Sequence, residues 1–528
     1  MARQYPKLTP LSSVCRFLSP RQGAAGLTRG LACVLSLSFA FTPAFIPVWA
    51  QPSSAPSMGS TSSAELSPAL ERKLGEAIMV QGRRDPEYIS DPDMSQYLEN
   101  MGRKLGRFAP GGAPQIEVFG VRNPEVNAFA MPGGFIGVHT GLIVGTGSES
   151  EVAGVVAHEI AHVTQRHIAR GLTQQRQSGH IALASIAAAM LAALIPGGGQ
   201  AAMGIAAFGQ AAAIDRQLGF SREAEQEADR YGIEMLRKAG YDPNGMSAMF
   251  GRLAKASSLN EGRGGGAYVS THPLSLQRMT DMQNRIRQFS AAGVQNEDEY
   301  WFIRAKSRVI QAVEPRVLRQ AQEQLEDEAR APTQREGAPP SPARRAAAWY
   351  GVSLAALARQ DPGAAAQALA QAQALMPNSP YIELQRIDIE LARRQVATAL
   401  SLAQAAHKRW PQRRSFVLRI AQSQQALGRD AEAITFLKAQ IKRWPTQEPD
   451  FYKMLAVSED RIGERVESRQ TMATYYEQLG ALPSAFSQLQ QARAMSKDFY
   501  VQSQIDVRMR ELSARIAEDR KLLERFKS

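Results

Sequence analysis

At 528 residues the chain is too long for one ordinary hydrophobic core, which excludes a single small domain and points to two or three. Its 44% hydrophobic and 21% charged residues are those of a globular protein and exclude a long disordered chain. The formal net charge of +12 gathers at the N-terminus and in the C-terminal half; no nucleic-acid motif accompanies it, so it points to an acidic partner or a membrane surface and not to nucleic acid.

Arg3, Lys7, Arg16, Arg21 and Arg29 precede an apolar run from Leu31 to Trp49, which ends in Val48-Trp49-Ala50 before Gln51. Residues 1–50 therefore read as a secretory signal peptide cleaved near Ala50. A retained membrane anchor is the competing reading, but Pro43 and Pro47 leave the uninterrupted run short for a span. Cys15 and Cys33 are the only cysteines and both lie in this segment, so the mature chain is expected to enter an oxidising compartment without a disulfide framework. The bacterial periplasm fits that expectation. Residues 51–64 are rich in Pro and Ser and read as a linker.

Residues 65–294 read as one folded unit. Helical patterns cover 66–82 and 92–108, and Gly111-Gly112-Ala113-Pro114 breaks the chain. Short apolar runs, Ile116–Val121 and Phe135–Val138, flank the turn signal Pro132-Gly133-Gly134 and predict a small sheet. Helical patterns resume near Glu149. Residues 295–345 read as a helical connection ending in a Pro-rich linker. In residues 346–528, Pro377, Pro411 and Pro445 recur 34 residues apart, and Lys408-Arg409-Trp410-Pro411 repeats as Lys442-Arg443-Trp444-Pro445. A 34-residue period of paired helices is the tetratricopeptide signature, and such pairs stack into a solenoid. The period fades after Ala481, as expected of a capping end. The predicted fold class is mainly α: an α+β unit with a small sheet, followed by an all-α tetratricopeptide-repeat solenoid.

The chemistry is carried by His158-Glu159-Ile160-Ala161-His162, an HExxH motif in an apolar helical stretch. Positions i and i+4 share a helical face, so both imidazoles can reach one ion, and Glu159 can serve as general base for hydrolysis. Two surface histidines are the bland alternative; the apolar flanks argue against it. A catalytic zinc needs a third protein ligand. Glu225 is the candidate, and Asp229, one turn on, is placed to accept the ring N–H of a ligating histidine. Acidic residues on a helix usually form only a solvated face; the neighbouring HExxH is what raises these two.

The run from Phe220 to Asp229 (FSREAEQEAD) together with HExxH resembles the gluzincin metallopeptidase family that includes the HtpX heat-shock proteases and the CAAX prenyl-protein proteases. Asn127–Ile136 (NAFAMPGGFI) is also similar to that family, where it forms a strand and hairpin beside the cleft. An export signal plus repeats resembles the BepA-like, β-barrel assembly-enhancing branch. The resemblance implies a zincin-type unit over 65–294 with one Zn2+ on His158, His162 and Glu225, Glu159 as base and Asp229 behind the ligands. It implies unfolded or misassembled proteins as substrates, outer-membrane β-barrel proteins among them, and their assembly complex as partner of the repeats. The edge near Asn127, Phe129 and Ala130 is expected to hold substrate as an added strand.

Thr271-His272-Pro273 resembles a recurrent family element; His272 is a candidate fourth ligand, an oxyanion donor or a structural group. Arg222 is an oxyanion partner or one half of an ion pair. His167, five residues past His162, falls off the ligand face and reads as structural, and nothing distinguishes His139 or His180. The Ala-rich segment 181–214 has arms too short to cross a bilayer unaided, so it reads as helices over the cleft or as a peripheral membrane contact. The competing functional reading is a latent or non-proteolytic chaperone or scaffold acting through the repeats.

Overall fold

The computed structural model describes residues 67–112, 115–174, 220–259, 267–289, 297–331 and 341–524. The expected signal peptide, the 51–64 linker, the 181–214 segment and His180 lie outside the described residues. The described chain is mainly helical with one small sheet, the expected class.

Helices α1 (Pro68–Gly82) and α2 (Pro92–Gly106) start alike. The side chains of Ser67 and Asp91 accept from the N–H of Leu70 and Met94, and proline occupies the first turn, where its missing N–H costs nothing. Strands β1 (Glu117–Val121), β2 (Ala128–Met131) and β3 (Phe135–His139) follow, in the order β1-β3-β2. The central β3 runs parallel to β1 and antiparallel to β2. Pro132-Gly133-Gly134 makes the β2–β3 turn, with both glycines at positive φ. A short helix α3 (Thr140–Gly145) leads into α4 (Glu149–Thr164), which carries HExxH.

Every residue of α4 from Ser150 to His162 is buried, which explains the apolar run Val152–Ala157 ahead of the motif. It packs on β2, β3, α2, α6 (Arg222–Lys238) and α7 (Asn244–Leu259). Two crossings depend on glycine. A Cβ on Gly154 would stand 2.8 Å from the Met246 Cα, and one on Gly232 would stand 3.2 Å from the His158 N. These close approaches bring α6 and α7 hard against the HExxH turn. The short α5 (His167–Gln174), α8 (Ala267–Thr271) and α9 (Leu276–Ile286) complete this part.

From residue 298 onward the described chain is made of antiparallel helix pairs. Helix α10 (Asp298–Ile310) packs on both α3 and α12 (Pro342–Ala358), and the Tyr300 hydroxyl donates to the Thr146 carbonyl. One hydrophobic cluster consequently runs from Ile89 to Ile389. After α11 (Pro315–Arg330) and α13 (Pro362–Leu375), α14 (Pro380–Ala392) pairs with α15 (Val396–Arg409), α16 (Arg414–Ala426) with α17 (Asp430–Arg443), and α18 (Asp450–Arg461) with α19 (Arg465–Gln478). The 34-residue proline period marks helix ends. Met376, Trp410 and Trp444 are the C-caps of α13, α15 and α17, and the proline directly after each prevents continuation. Trp410 and Trp444 then lie against Phe416 and Phe451 at the head of the next pair, fixing its entry. The solenoid closes with α20 (Leu482–Met495) and the 26-residue α21 (Phe499–Glu524), the lengthened final helix being where the period fades. Among the described residues no helix is long and apolar enough to cross a membrane.

The solenoid returns to the first helices at two places. Near the first, Arg414 is buried and donates to Glu99 of α2 at 3.0 Å and to the Gln447 carbonyl, while the Gln96 amide donates to the Gln412 carbonyl at 2.7 Å. At the second, Lys73 of α1 meets Asp519 at 3.4 Å, and a Cβ on Gly480 would stand 2.5 Å from Val80.

Glu448 is 7% exposed beside Arg414, 3.7 Å away. Burial, aided by Asp450, Glu99 and Asp91, outweighs the Arg414 attraction and pushes its carboxyl up to about 8. The native state holds this proton where the unfolded chain has lost it. Its contribution is therefore complete below the ordinary carboxylate range and disappears as pH rises through about 8. Glu448→Gln is expected to flatten the fall in stability over that window and to exceed wild type at pH 9. The expected difference is roughly 2–5 kcal/mol, at about 1.4 kcal/mol per unit. Urea melts of both proteins between pH 5 and pH 9 check this; parallel curves would refute it.

Candidate metal centre

Ser148 caps α4 by accepting from the Glu151 N–H at 3.3 Å, and the Glu151 carboxylate accepts from the Gly147 N–H at 2.9 Å. Nearly three turns on, His158 and His162 stand one turn apart with their Nε2 atoms 3.0 Å from each other. Helix α6, drawn close at Gly232, supplies Glu225 opposite them. Its Oε2 is 3.4 Å from His158 Nε2 and its Oε1 is 3.4 Å from His162 Nε2. His272, just past the end of α8, brings Nδ1 to 2.9 Å from Glu225 Oε1. All four side chains are buried, and one donor atom from each lies within 4.8 Å of the others.

This donor set fits a metal ion. Imidazole nitrogens with one carboxylate are the ligands of a tetrahedral zinc site. Behind His158, the Asp229 Oδ1 stands 3.1 Å from Nδ1, a carboxylate that favours the ring proton on Nδ1 and so the Nε2 lone pair toward Glu225 and His162. A bare nitrogen 3.0 Å from a second imidazole nitrogen, and 3.4 Å from a carboxylate oxygen, is an arrangement that a cation bound among them would satisfy. Glu159 points its Oε1 toward the same cluster, 3.5 Å from His272 Nε2 and 3.4 Å from the Tyr268 hydroxyl. Its Oε2 is buried with no hydrogen-bond partner among the described residues.

The surroundings tune these charges. Burial raises the Glu159 carboxyl above its ordinary range. Burial opposes ionisation of Glu225 too, but His272, His158 and His162 together hold it well below the usual carboxylate range. Asp229 is held down against burial by Arg278 and His158. Arg278, 2% exposed, grips Asp229 with Nε and Nη2, each at 2.8 Å, and also places Nη1 2.6 Å from Glu225 Oε2 and 2.8 Å from the Pro273 carbonyl. Two rings cover the histidines: Phe220 lies on His162 with centroids 3.9 Å apart, and Tyr268 stacks on His272 at 4.5 Å.

The structure thus brings together His158, Glu159, His162, Glu225, Asp229 and His272. Other candidates sit elsewhere. Asn127 is buried, and its carbonyl accepts from the His139 N–H. Phe129 and Ala130 are buried on β2, an edge strand of the sheet, so their side chains are core. Arg222 is exposed on the first turn of α6. His139 is a core residue against Phe129, with burial pushing its imidazole down to about 4. His167 lies outside the donor cluster but meets the far side of His162. The α4 helix ends at Thr164, and Arg166 adopts a left-handed φ of 55°, which turns His167 back until its Nδ1 is 2.8 Å from His162 Nδ1. Sequence reasoning also missed Arg278, Tyr268 and Phe220 as parts of the site; the Phe220–Asp229 run and the closeness of Tyr268 to His272 were the available signals.

Residues 92–286 match the model of peptidase family M48. Over 264 residues the chain is 36% identical to a putative β-barrel assembly-enhancing protease of Vibrio cholerae, covering 49% of this chain and 54% of that one. It is 32% identical over 256 residues to the β-barrel assembly-enhancing protease of Escherichia coli, covering 48% and 51%. To the metalloprotease LoiP of Escherichia coli it is 31% identical over 209 residues, covering 38% of this chain and 75% of the relative. The chain spans about half the length of the first two relatives. The family match encloses every residue of the metal centre, from His158 to Arg278, and one relative is matched over three quarters of its own length: the chain belongs to peptidase family M48.

Proposed function

We propose that the chain is a zinc-dependent endopeptidase, exported to the periplasm, that hydrolyses unfolded or misassembled proteins during assembly and quality control of outer-membrane β-barrel proteins. The observation that carries this reading is the buried convergence of His158, His162 and Glu225 beside the carboxylate of Glu159. Zinc, when bound, supplies Lewis acidity toward a scissile carbonyl and makes water a better nucleophile. Glu159 takes the proton of the attacking water and delivers it to the leaving amine. Its burial favours that exchange by raising its proton affinity. Asp229 and Arg278 fix His158 and Glu225 in place.

The relatives named β-barrel assembly-enhancing proteases support the client class. In this reading residues 65–294 are the peptidase and 346–528 the repeats that bind the assembly complex. Substrate lies along the outer edge of β2 near Asn127, Phe129 and Ala130, held by the backbone groups that face away from β3; the Asn127 carbonyl is not one of them, and the side chains of Phe129 and Ala130 face the core.

A second reading, a latent or non-proteolytic chaperone, is favoured by one observation: His272 stands within the ligand cluster and completes a fourth donor. A four-ligand site leaves no open position for substrate. The test uses the chain beginning at Gln51 and an unfolded β-barrel protein, with zinc removed by chelation and then restored. Cleavage is expected to vanish and return with the metal, and His272→Ala is expected to cleave faster than wild type. If zinc-loaded wild type and His272→Ala both leave the substrate intact, the peptidase reading falls and the chaperone takes its place.

A further inference from the structure

The side of His162 that faces away from His158 meets a second imidazole. His167 Nδ1 is 2.8 Å from His162 Nδ1, and His167 Nε2 is 3.1 Å from Glu227 Oε2. Glu227 is itself held by Arg170 at 3.1 Å. His167 is 2% exposed and the Glu227 side chain 27% exposed, so the chain of contacts runs from the buried centre toward the surface of α6.

Two neutral imidazoles share one proton between facing Nδ1 atoms, and only one arrangement satisfies the surroundings. Were His167 the donor, its own Nε2 would be bare against the Glu227 carboxylate, two acceptors at 3.1 Å. With His162 as donor, every contact is paired: His162 Nδ1–H to His167 Nδ1, then His167 Nε2–H to Glu227 Oε2. That arrangement also leaves the His162 Nε2 lone pair bare and aimed at His158 and Glu225.

We propose that His167 and Glu227 are positioning residues that hold His162 in its metal-binding tautomer, the counterpart on His162 of the direct Asp229 contact behind His158. The relay rests on the reading that zinc sits on His158, His162 and Glu225. Its local cause is the break in the chain after α4. Arg166, in the left-handed region and tied to Glu71 at 3.1 Å, turns α5 so that its first residue faces His162. His167 contributes no atom to the donor cluster and acts only through His162.

The variants Asn and Gln separate the two halves of the relay. Asn places its Oδ1 where the ring Nδ1 was, so His167→Asn keeps the acceptor for His162. Gln places its Nε2 where the ring Nε2 was, so His167→Gln keeps the donor to Glu227 and loses that acceptor. The measurement is zinc affinity of the full chain by competition with a chromophoric chelator, beside thermal unfolding of each zinc-free form. His167→Gln is expected to weaken zinc binding by about 10–100-fold, with His167→Asn recovering most of it. Glu227→Ala, on a partly solvent-facing side chain that is safe for folding, is expected to weaken binding to a smaller degree. Equal loss in Asn and Gln means the ring acts by packing alone and overturns the relay, as does wild-type affinity in His167→Gln or in Glu227→Ala. A wild-type chain that takes up no zinc overturns the metal reading itself, and the relay with it.

Discussion

Glu159→Gln is expected to lower the rate of peptide hydrolysis by about 10²–10⁴-fold while leaving zinc affinity within a small factor of wild type. The separation follows from the geometry. Glu159 extends from the same helical turn as His158, yet its Oε1 is met by the Tyr268 hydroxyl and lies 3.5 Å from His272, and it does not belong to the set of donors that converge. Glutamine has the same shape and keeps an oxygen for Tyr268, so the fold and the ligands are undisturbed. What it loses is the ability to take a proton. Burial has already raised the proton affinity of Glu159, which suits a group that must accept and then release one near neutral pH, and no other carboxylate of the centre is free to substitute. Glu225 and Asp229 are both engaged by Arg278 and held ionised. Single-turnover cleavage of an unfolded substrate, with zinc content measured on the same sample, decides the matter. Loss of zinc together with activity would make Glu159 a ligand, and full activity without it would remove the base from the mechanism.

The second large effect is expected at Arg278. Replacing it with Met removes a guanidinium that compensates two buried carboxylates, and the metal-free protein is expected to lose about 3–5 kcal/mol of stability. Three features set the size. Arg278 is 2% exposed, so water cannot replace it; it holds Asp229 bidentately; and it reaches Glu225 and the Pro273 carbonyl with the remaining nitrogen. Its loss therefore strands charge and releases the turn that carries His272. Urea unfolding in the presence of chelator measures the loss. Pairing Arg278→Met with Asp229→Asn should recover part of it, because one stranded charge is then gone. Single and double variants with wild-type midpoints would show that the carboxylates find other partners.

Short-range chemistry was legible in the sequence; long-range chemistry was not. His158, Glu159 and His162 are fixed relative to one another by one helical turn, and Glu225 and Asp229 by another, so spacing alone reveals them. The β2–β3 hairpin announces itself through Pro132-Gly133-Gly134, and the repeats through prolines that follow a C-cap at constant intervals. Arg278, 49 residues beyond Asp229, looks like any arginine of an amphipathic helix until α9 is folded against α6. The contact of His167 with the far side of His162 was not legible, because the helical rule ends at Thr164 and Gln165-Arg166 has neither glycine nor proline to mark the break. The pair α10–α11 lacks the proline period, yet it shares the core that runs from Ile89 to Ile389.

The double return of the solenoid to α1 and α2 bears on how this chain can change in length. Arg414 is seated against Glu99, and further along Gly480 and Asp519 reach Val80 and Lys73. Between the first seat and the second lie two helix pairs, α16–α17 and α18–α19. An open stack tolerates an added or deleted pair, since each contacts only its neighbours. A stack pinned at both ends does not: one pair more or fewer would carry Gly480 a whole step past Val80. The repeat count in that arc behaves like the tooth count of a gear meshed with α1 and α2.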